Sequence, residues 1–192
     1  MDRPDIRWAM MLNEYLDACM IVLPKDPWII NIGCGNSVKW NYFGFILYLS
    51  QRELGLPRYV AVDIDENSFR KAKEALDGLV IFITGDARNL SDFVQGTFHV
   101  AVFEHPDLST SQKRPDVWRK IFKETRKVLN DYGCIVLTSF WLNDHIPATF
   151  WLERTGYSIL YNGKNRYPGK NFDTASDGET LMHDKYLLIA KK

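Results

Sequence analysis

The chain has 192 residues, of which 46% are hydrophobic and 25% charged, a composition that suits one globular domain with a sizeable core. Basic and acidic residues balance at a net charge of zero, which argues against bulk attraction to nucleic acid or to an anionic membrane surface. No apolar run approaches a bilayer span, and the start MDRPDIRWAM lacks a secretory pattern. Cys19, Cys34 and Cys134 fall in no zinc-like spacing, so free thiols in a cytoplasmic setting are expected.

Residues 5–22 predict a helix whose apolar face is Ile6, Met10, Leu12, Leu16, Met20 and Val22, ended by Pro24 and Pro27. This separates an N-terminal helical extension, 1–25, from a single domain, 26–192. Strands and helices then alternate. Strands are predicted over 28–32, 59–63, 79–84, 98–103 and 134–140, and helices over 37–54, 66–77, 88–95, 115–129 and 147–155. Two last strands, 157–161 and 186–190, are separated only by a polar segment. Continuous apolar strands alternating with helices imply a parallel sheet covered on both faces, and two strands with no helix between them can pair antiparallel. The expected fold is α/β, a doubly wound, mostly parallel seven-stranded sheet with a reversed last strand. Ligands of such sheets lie beyond the carboxyl ends of the strands.

Those ends carry the polar chemistry. The first reads Asn31-Ile32-Gly33-Cys34-Gly35-Asn36-Ser37, where Gly33 and Gly35 permit positive φ and let backbone N–H groups face a ligand. The following helix starts near Ser37, a good N-cap residue, with its positive end toward an anion. The second strand ends in Asp63-Ile64-Asp65, a carboxylate able to accept from two ribose hydroxyls. The third leads into Gly85-Asp86-Ala87-Arg88, a carboxylate able to accept from an exocyclic amine. The fourth ends in Glu104-His105-Pro106-Asp107, where His105 has the pKa of a general base at neutral pH.

In order and spacing, the run from 29 to 140 resembles the class I S-adenosylmethionine-dependent methyltransferases. Gly33-x-Gly35 is similar to the glycine motif of that family, Asp63 to its ribose residue and Gly85-Asp86-Ala87 to its adenine clasp. Tyr132 to Leu137 is similar to its turn into the fifth strand. The resemblance implies a three-layer α/β/α fold and S-adenosylmethionine as cofactor. Asn31, Gly33 and Gly35 would hold its amino-acid end, Asp63 and Ile64 the ribose, and Asp86 and Ala87 the adenine. Glu104, also a cofactor-binding residue in this reading, would line the reaction centre and His105 would be the catalytic base. Two positions depart from the family pattern: Asn31 replaces an acidic residue and Ser37 a third glycine, so weaker cofactor binding is expected. A nicotinamide dehydrogenase would need glycine at Val38 and would leave Asp86 without a role.

The acceptor is expected to be a small molecule, since the Asp/Asn-Pro-Pro-aromatic pattern of enzymes acting on amides or adenine is absent. Nucleic acid and protein substrates stay open, and a non-catalytic cofactor-binding scaffold is the alternative. Within 162–184, Lys164, Arg166 and Lys170 with Tyr161, Tyr167 and Phe172 could grip an anionic or aromatic substrate, or form a solvated hairpin turning at Asn162-Gly163. Asn143, Asp144 and His145 with Glu104 and Asp107 offer Mg²⁺ ligands or simply turn chemistry, and no metal is assigned.

Overall fold

Nine strands and six α-helices are present in the computed structural model, which describes residues 3–108, 116–174, 178 and 180–192. The strands are β1 (Trp28–Ile32), β2 (Arg58–Asp63), β3 (Val80–Thr84), β4 (Phe98–Glu104), β5 (Leu129–Ser139), β6 (Ser158–Lys164), β7 (Asn171–Thr174), β8 (Thr180–Met182) and β9 (Tyr186–Lys191). The helices are α1 (Pro4–Ala18), α2 (Val38–Ser50), α3 (Glu66–Ala75), α4 (Leu90–Phe93), α5 (Asp116–Val128) and α6 (Leu142–Arg154). Seven strands form one sheet in the order β3-β2-β1-β4-β5-β9-β6. The first five are parallel, and β9 runs antiparallel between β5 and β6. The doubly wound sheet with its reversed last strand is therefore as expected. The pair β7–β8 forms a separate hairpin.

Side-chain alternation divides the core into two layers. Ile29, Tyr59, Val100, Cys134 and Ile189 face α1, α2 and α3. Ile30, Val60, Ala101, Ile135 and Leu188, one residue along each strand, face α4, α5 and α6. Helix positions follow the same logic: α3 buries only Phe69 and Ala72, and its start is capped by Asp65 accepting from the Asn67 N–H at 3.0 Å.

Helix α1 differs from the prediction. It stops at Ala18, Met20 turns to φ 54°, and Met20 and Val22 are 88% and 90% exposed. Leu12 and Leu16 are buried as predicted, Trp8, Met11 and Tyr15 join them on that face, and Met10 points outward. Burying Met11, Leu12 and Leu16 stabilises by about 1.5–3 kcal/mol each, well above the ~0–1 kcal/mol of an exposed pair such as Arg52–Asp17. Apolar contact therefore holds α1 to α2.

Helix α6 starts at Leu142, ahead of the predicted 147, and carries Pro147 inside it. Pro147, in the second turn, removes the hydrogen bond to the Asn143 carbonyl and crowds it with its ring, yet the helix continues to Arg154. Asn162-Gly163 lies within β6 opposite Leu188 and Leu187, so it is not a turn; the hairpin of this region is β7–β8. The predicted helix start at 115 lies outside the described residues.

Gly44 sets the α1–α2 approach: a Cβ there would stand 2.5 Å from Trp8 Cβ and 3.2 Å from the Asp5 carbonyl oxygen. Gly44→Ala should therefore destabilise the protein by about 1–3 kcal/mol, although alanine is the better helix former. Urea unfolding measures it; equal or raised stability would mean the two helices can separate freely.

Candidate functional site

The loop after β1 is fixed by hydrogen bonds to β2. Gly33 N–H donates to the Val62 carbonyl at 2.8 Å, Cys34 N–H to the same carbonyl at 3.3 Å, and Gly35 N–H to Asp63 Oδ2 at 3.0 Å. These N–H groups are thus engaged within the loop and do not face a ligand as the sequence reading expected. What the glycines supply is conformation, φ 68° at Gly33 and 48° at Gly35, with open space where a Cβ would stand. Ser37 does not cap α2; its hydroxyl donates to the Cys34 carbonyl at 3.0 Å. Burial pushes the Cys34 thiol well up, so it is no nucleophile.

Asp63 ties the loops together. Besides Gly35, it accepts from the Asp65 N–H through Oδ1 at 3.1 Å, which leaves each oxygen one lone pair for a further donor. Asp86 accepts from the Arg88 N–H at 2.9 Å and pairs with the Arg88 guanidinium, whose hydrogen bonds hold its carboxyl below the usual range.

Between these loops and α5 lies a cavity of about 530 Å³. Gly33, Asp63, Ile64, Asp86 and Ala87, all predicted site residues, line it with Asp107, Val117, Trp118 and Ile121. Trp118 donates from its indole N–H to the Asp107 carbonyl at 2.8 Å, which fixes the ring. Polar strand ends on one wall therefore face an apolar slot on the other, a shape suited to a flat base joined to a hydroxylated sugar. The α5 residues were missed because helix periodicity reports which positions are apolar, not that the first turn of α5 would close over the strand ends.

Gly35, bonded to Asp63, is not among the lining residues, and Asn31, Glu104 and His105 gather deeper in the fold. Asn31 is fully buried and donates to Asn41 Oδ1 at 3.0 Å and Tyr59 OH at 3.4 Å. Glu104 stands at the end of β4; burial, reinforced by the Asp184 charge, pushes its carboxyl up to about 7. His105, at φ 52°, has Nε2 3.2 Å from Asp184 Oδ1. Burial alone would lower its imidazole, but the Asp184 and Glu104 carboxylates raise it on balance. Phe140 and His183 flank the His105 ring at centroid distances of 5.0 and 5.5 Å, and Phe172 stacks on His183 at 4.7 Å. Asp184 had no signal in the sequence beyond preceding the last strand.

Other groups are engaged elsewhere. Asp144 accepts from the Leu108 N–H at 2.9 Å, and His145 is held by Asn162 at 2.7 Å, so neither joins Glu104. Arg166 pairs with Glu14 at 3.0 Å, and Tyr167 donates to the same carboxylate at 2.5 Å, tying this segment to α1. Of the aromatic residues named there, Phe172 reaches the His105 cluster.

No protein-family model and no curated protein matches the chain. Its three-dimensional structure is similar to that of a precorrin-6y C5,15-methyltransferase from Geobacter metallireducens, with a TM-score of 0.64 and 16% identity over 96% of this chain and 87% of the other. An S-adenosylmethionine-dependent methyltransferase from Methanosarcina mazei gives 0.59 and 20% identity over 88% and 94% of the two chains. Another from Clostridium acetobutylicum gives 0.62 and 11% over 100% and 92%. With the strand order and the reversed β9, these similarities establish that the chain has the class I methyltransferase fold.

Proposed function

We propose that this chain is a methyltransferase that takes its methyl group from S-adenosylmethionine and passes it to a small-molecule acceptor. The observation that carries the reading is the cavity at three successive strand ends, lined by Gly33, Asp63, Ile64, Asp86 and Ala87. Its residues fit the cofactor part by part. Ile64, Ala87, Val117, Trp118 and Ile121 form an apolar slot for the adenine, with Asp86 at its edge. The spare lone pairs of Asp63 suit the ribose hydroxyls, and the open space where a Gly33 Cβ would stand leaves room for the rest of the cofactor. Asn31, closed in by Asn41 and Tyr59, would act by positioning this inner wall.

When bound, the cofactor supplies a methyl group already activated by the sulfonium. The chain then has to orient the acceptor in line and take its proton. Proximity of this kind contributes about 7–11 kcal/mol in favourable cases, so a site with one base and well-fixed walls suffices. His105 is the base in this reading, held beside Asp184 and flanked by the Phe140 ring. The flanking rings favour an acceptor with a planar or apolar body.

S-adenosylhomocysteine should bind with one-to-one stoichiometry in calorimetry and raise the melting temperature. Dinucleotide binding in its place would sink the reading. Asp63→Ala should weaken that binding by on the order of 1.5–3 kcal/mol, because the ribose loses a charged acceptor and the loop its staple. Unchanged affinity in a folded variant would remove Asp63 from the site. Trp118→Ala should cost about 1–3 kcal/mol in affinity for both S-adenosylhomocysteine and adenosine, as loss of a stacking surface does. If only the former weakened, the slot would hold the amino-acid end instead.

A further inference from the structure

Beyond the inner end of the cavity, β4, β5 and the turn before β9 converge. Glu104 is in register with Thr138, Thr138 with Leu187, and Asp184 lies just ahead of β9. One potential ligand atom from each of Glu104, His105 and Asp184 falls within 4.8 Å of the other two. Three buried atoms at this junction, Glu104 Oε2, Thr138 Oγ1 and Asp184 Oδ1, have no hydrogen-bond partner among the described residues. Thr138 is fully buried and Asp184 is 5% exposed, so bulk water does not satisfy them.

The His105 ring explains why Asp184 Oδ1 lacks a donor. Nε2 of the neutral ring accepts the Asp184 backbone N–H at 3.0 Å; a ring proton, or a cation in its place, is what would face the carboxylate oxygen 3.2 Å away. Arg7 is near enough for Asp184 to feel its charge, yet Oδ1 still has no donor. His105 and Asp184 also both adopt positive φ, at 52° and 53°, and backbone strain held by two facing non-glycine residues is a mark of functional sites. Two carboxylates and an imidazole nitrogen gathered within 4.8 Å of one another, with buried oxygens left unpartnered, ask for a cation.

We infer that Glu104, His105 and Asp184 bind one divalent first-row transition-metal ion through both carboxylates and His105 Nε2. Side-chain shifts that draw the three atoms to roughly 3.0–3.5 Å apart allow bonds of about 2.0–2.2 Å, and the ion then replaces the Asp184 N–H on Nε2. The imidazole favours manganese, iron, cobalt or zinc over magnesium and calcium, which prefer oxygen alone. The ion stands on its own geometry; only its use rests on the methyltransferase reading. There, the ion would acidify an acceptor hydroxyl brought against it, with the proton passing to solvent water, and with the ion bound His105 would be a ligand and not the base assigned to it above.

The test uses the full chain, stripped of metal by chelation and titrated separately with cobalt(II), manganese(II) and magnesium. One equivalent of cobalt should bind with visible d–d absorption, one equivalent of manganese should lose its free-ion magnetic resonance signal, and magnesium should bind at least about tenfold more weakly. Glu104→Gln and Asp184→Asn should each weaken cobalt binding at least about tenfold, while Asp107→Asn, a cavity carboxylate outside the cluster, should not. Manganese should also broaden the wild-type amide signals of His105 and Asp184 first, which keeps the test independent of whether the variants fold. No saturable binding at millimolar ion, broadening centred elsewhere, or wild-type affinity in folded Glu104→Gln would overturn the site. S-adenosylhomocysteine calorimetry on the same metal-free chain keeps the two readings apart: cofactor binding without ion binding refutes the ion alone, and the reverse refutes the cofactor alone.

Discussion

A strand that runs parallel to its neighbour cannot be joined to it by a tight turn; the chain must cross back over the sheet face. Five parallel strands, β3-β2-β1-β4-β5, therefore point their carboxyl ends at one edge, and their crossovers cover both faces with helices. Everything polar that the strands carry past their buried segments arrives along that edge. The cavity of Gly33, Asp63 and Asp86 and the cluster of Glu104, His105 and Asp184 are two stretches of it.

The two stretches differ in how their polar groups are supported. Around the cavity, each carboxylate is already paired with its own loop: Asp63 with two backbone N–H groups, Asp86 with Arg88. At Asp63 these bonds fix the loop and leave a lone pair on each oxygen, whereas at Asp86 both oxygens are already engaged by Arg88. Deeper in, Asn31 donates to Asn41 and Tyr59, near the buried carboxyl of Glu104. An acidic residue at 31 would add a second buried carboxylate beside Glu104, and the neutral amide avoids that repulsion.

Strand periodicity is a local property, and it made β1 to β4 legible nearly to the residue. The glycines, Asp63 and Asp86 were legible as strand-end residues for the same reason, because each lies at or just past the end of a strand. Where tertiary contact decides, the sequence was silent or misleading. The apolar residues Met10, Met20 and Val22 continue a helical rhythm, yet the chain leaves the helix at Met20. Pro147 reads as a helix start but lies inside α6, whose first turn is tied to the loop after β4 through Asp144. Trp118 and Asp184 come from elements distant in sequence, and only the folded sheet brings them to the strand ends. Asn31 was legible as a strand-end residue, but its direction depends on Asn41 and Tyr59 on other elements.

The insertion of β9 between β5 and β6 has a temporal meaning during synthesis. Residues 186–191 leave the ribosome after every other strand of the main sheet, yet they occupy an interior place. Until they arrive, β5 and β6 each present an unpaired edge, the kind of surface on which nascent chains associate wrongly. Asp184 travels with this late strand, so the polar junction at His105 is completed only as the sheet closes. A truncated or incompletely folded chain would carry the glycine loop and Asp63 but not the assembled junction. Completion of the fold and completion of the chemistry are thereby one event.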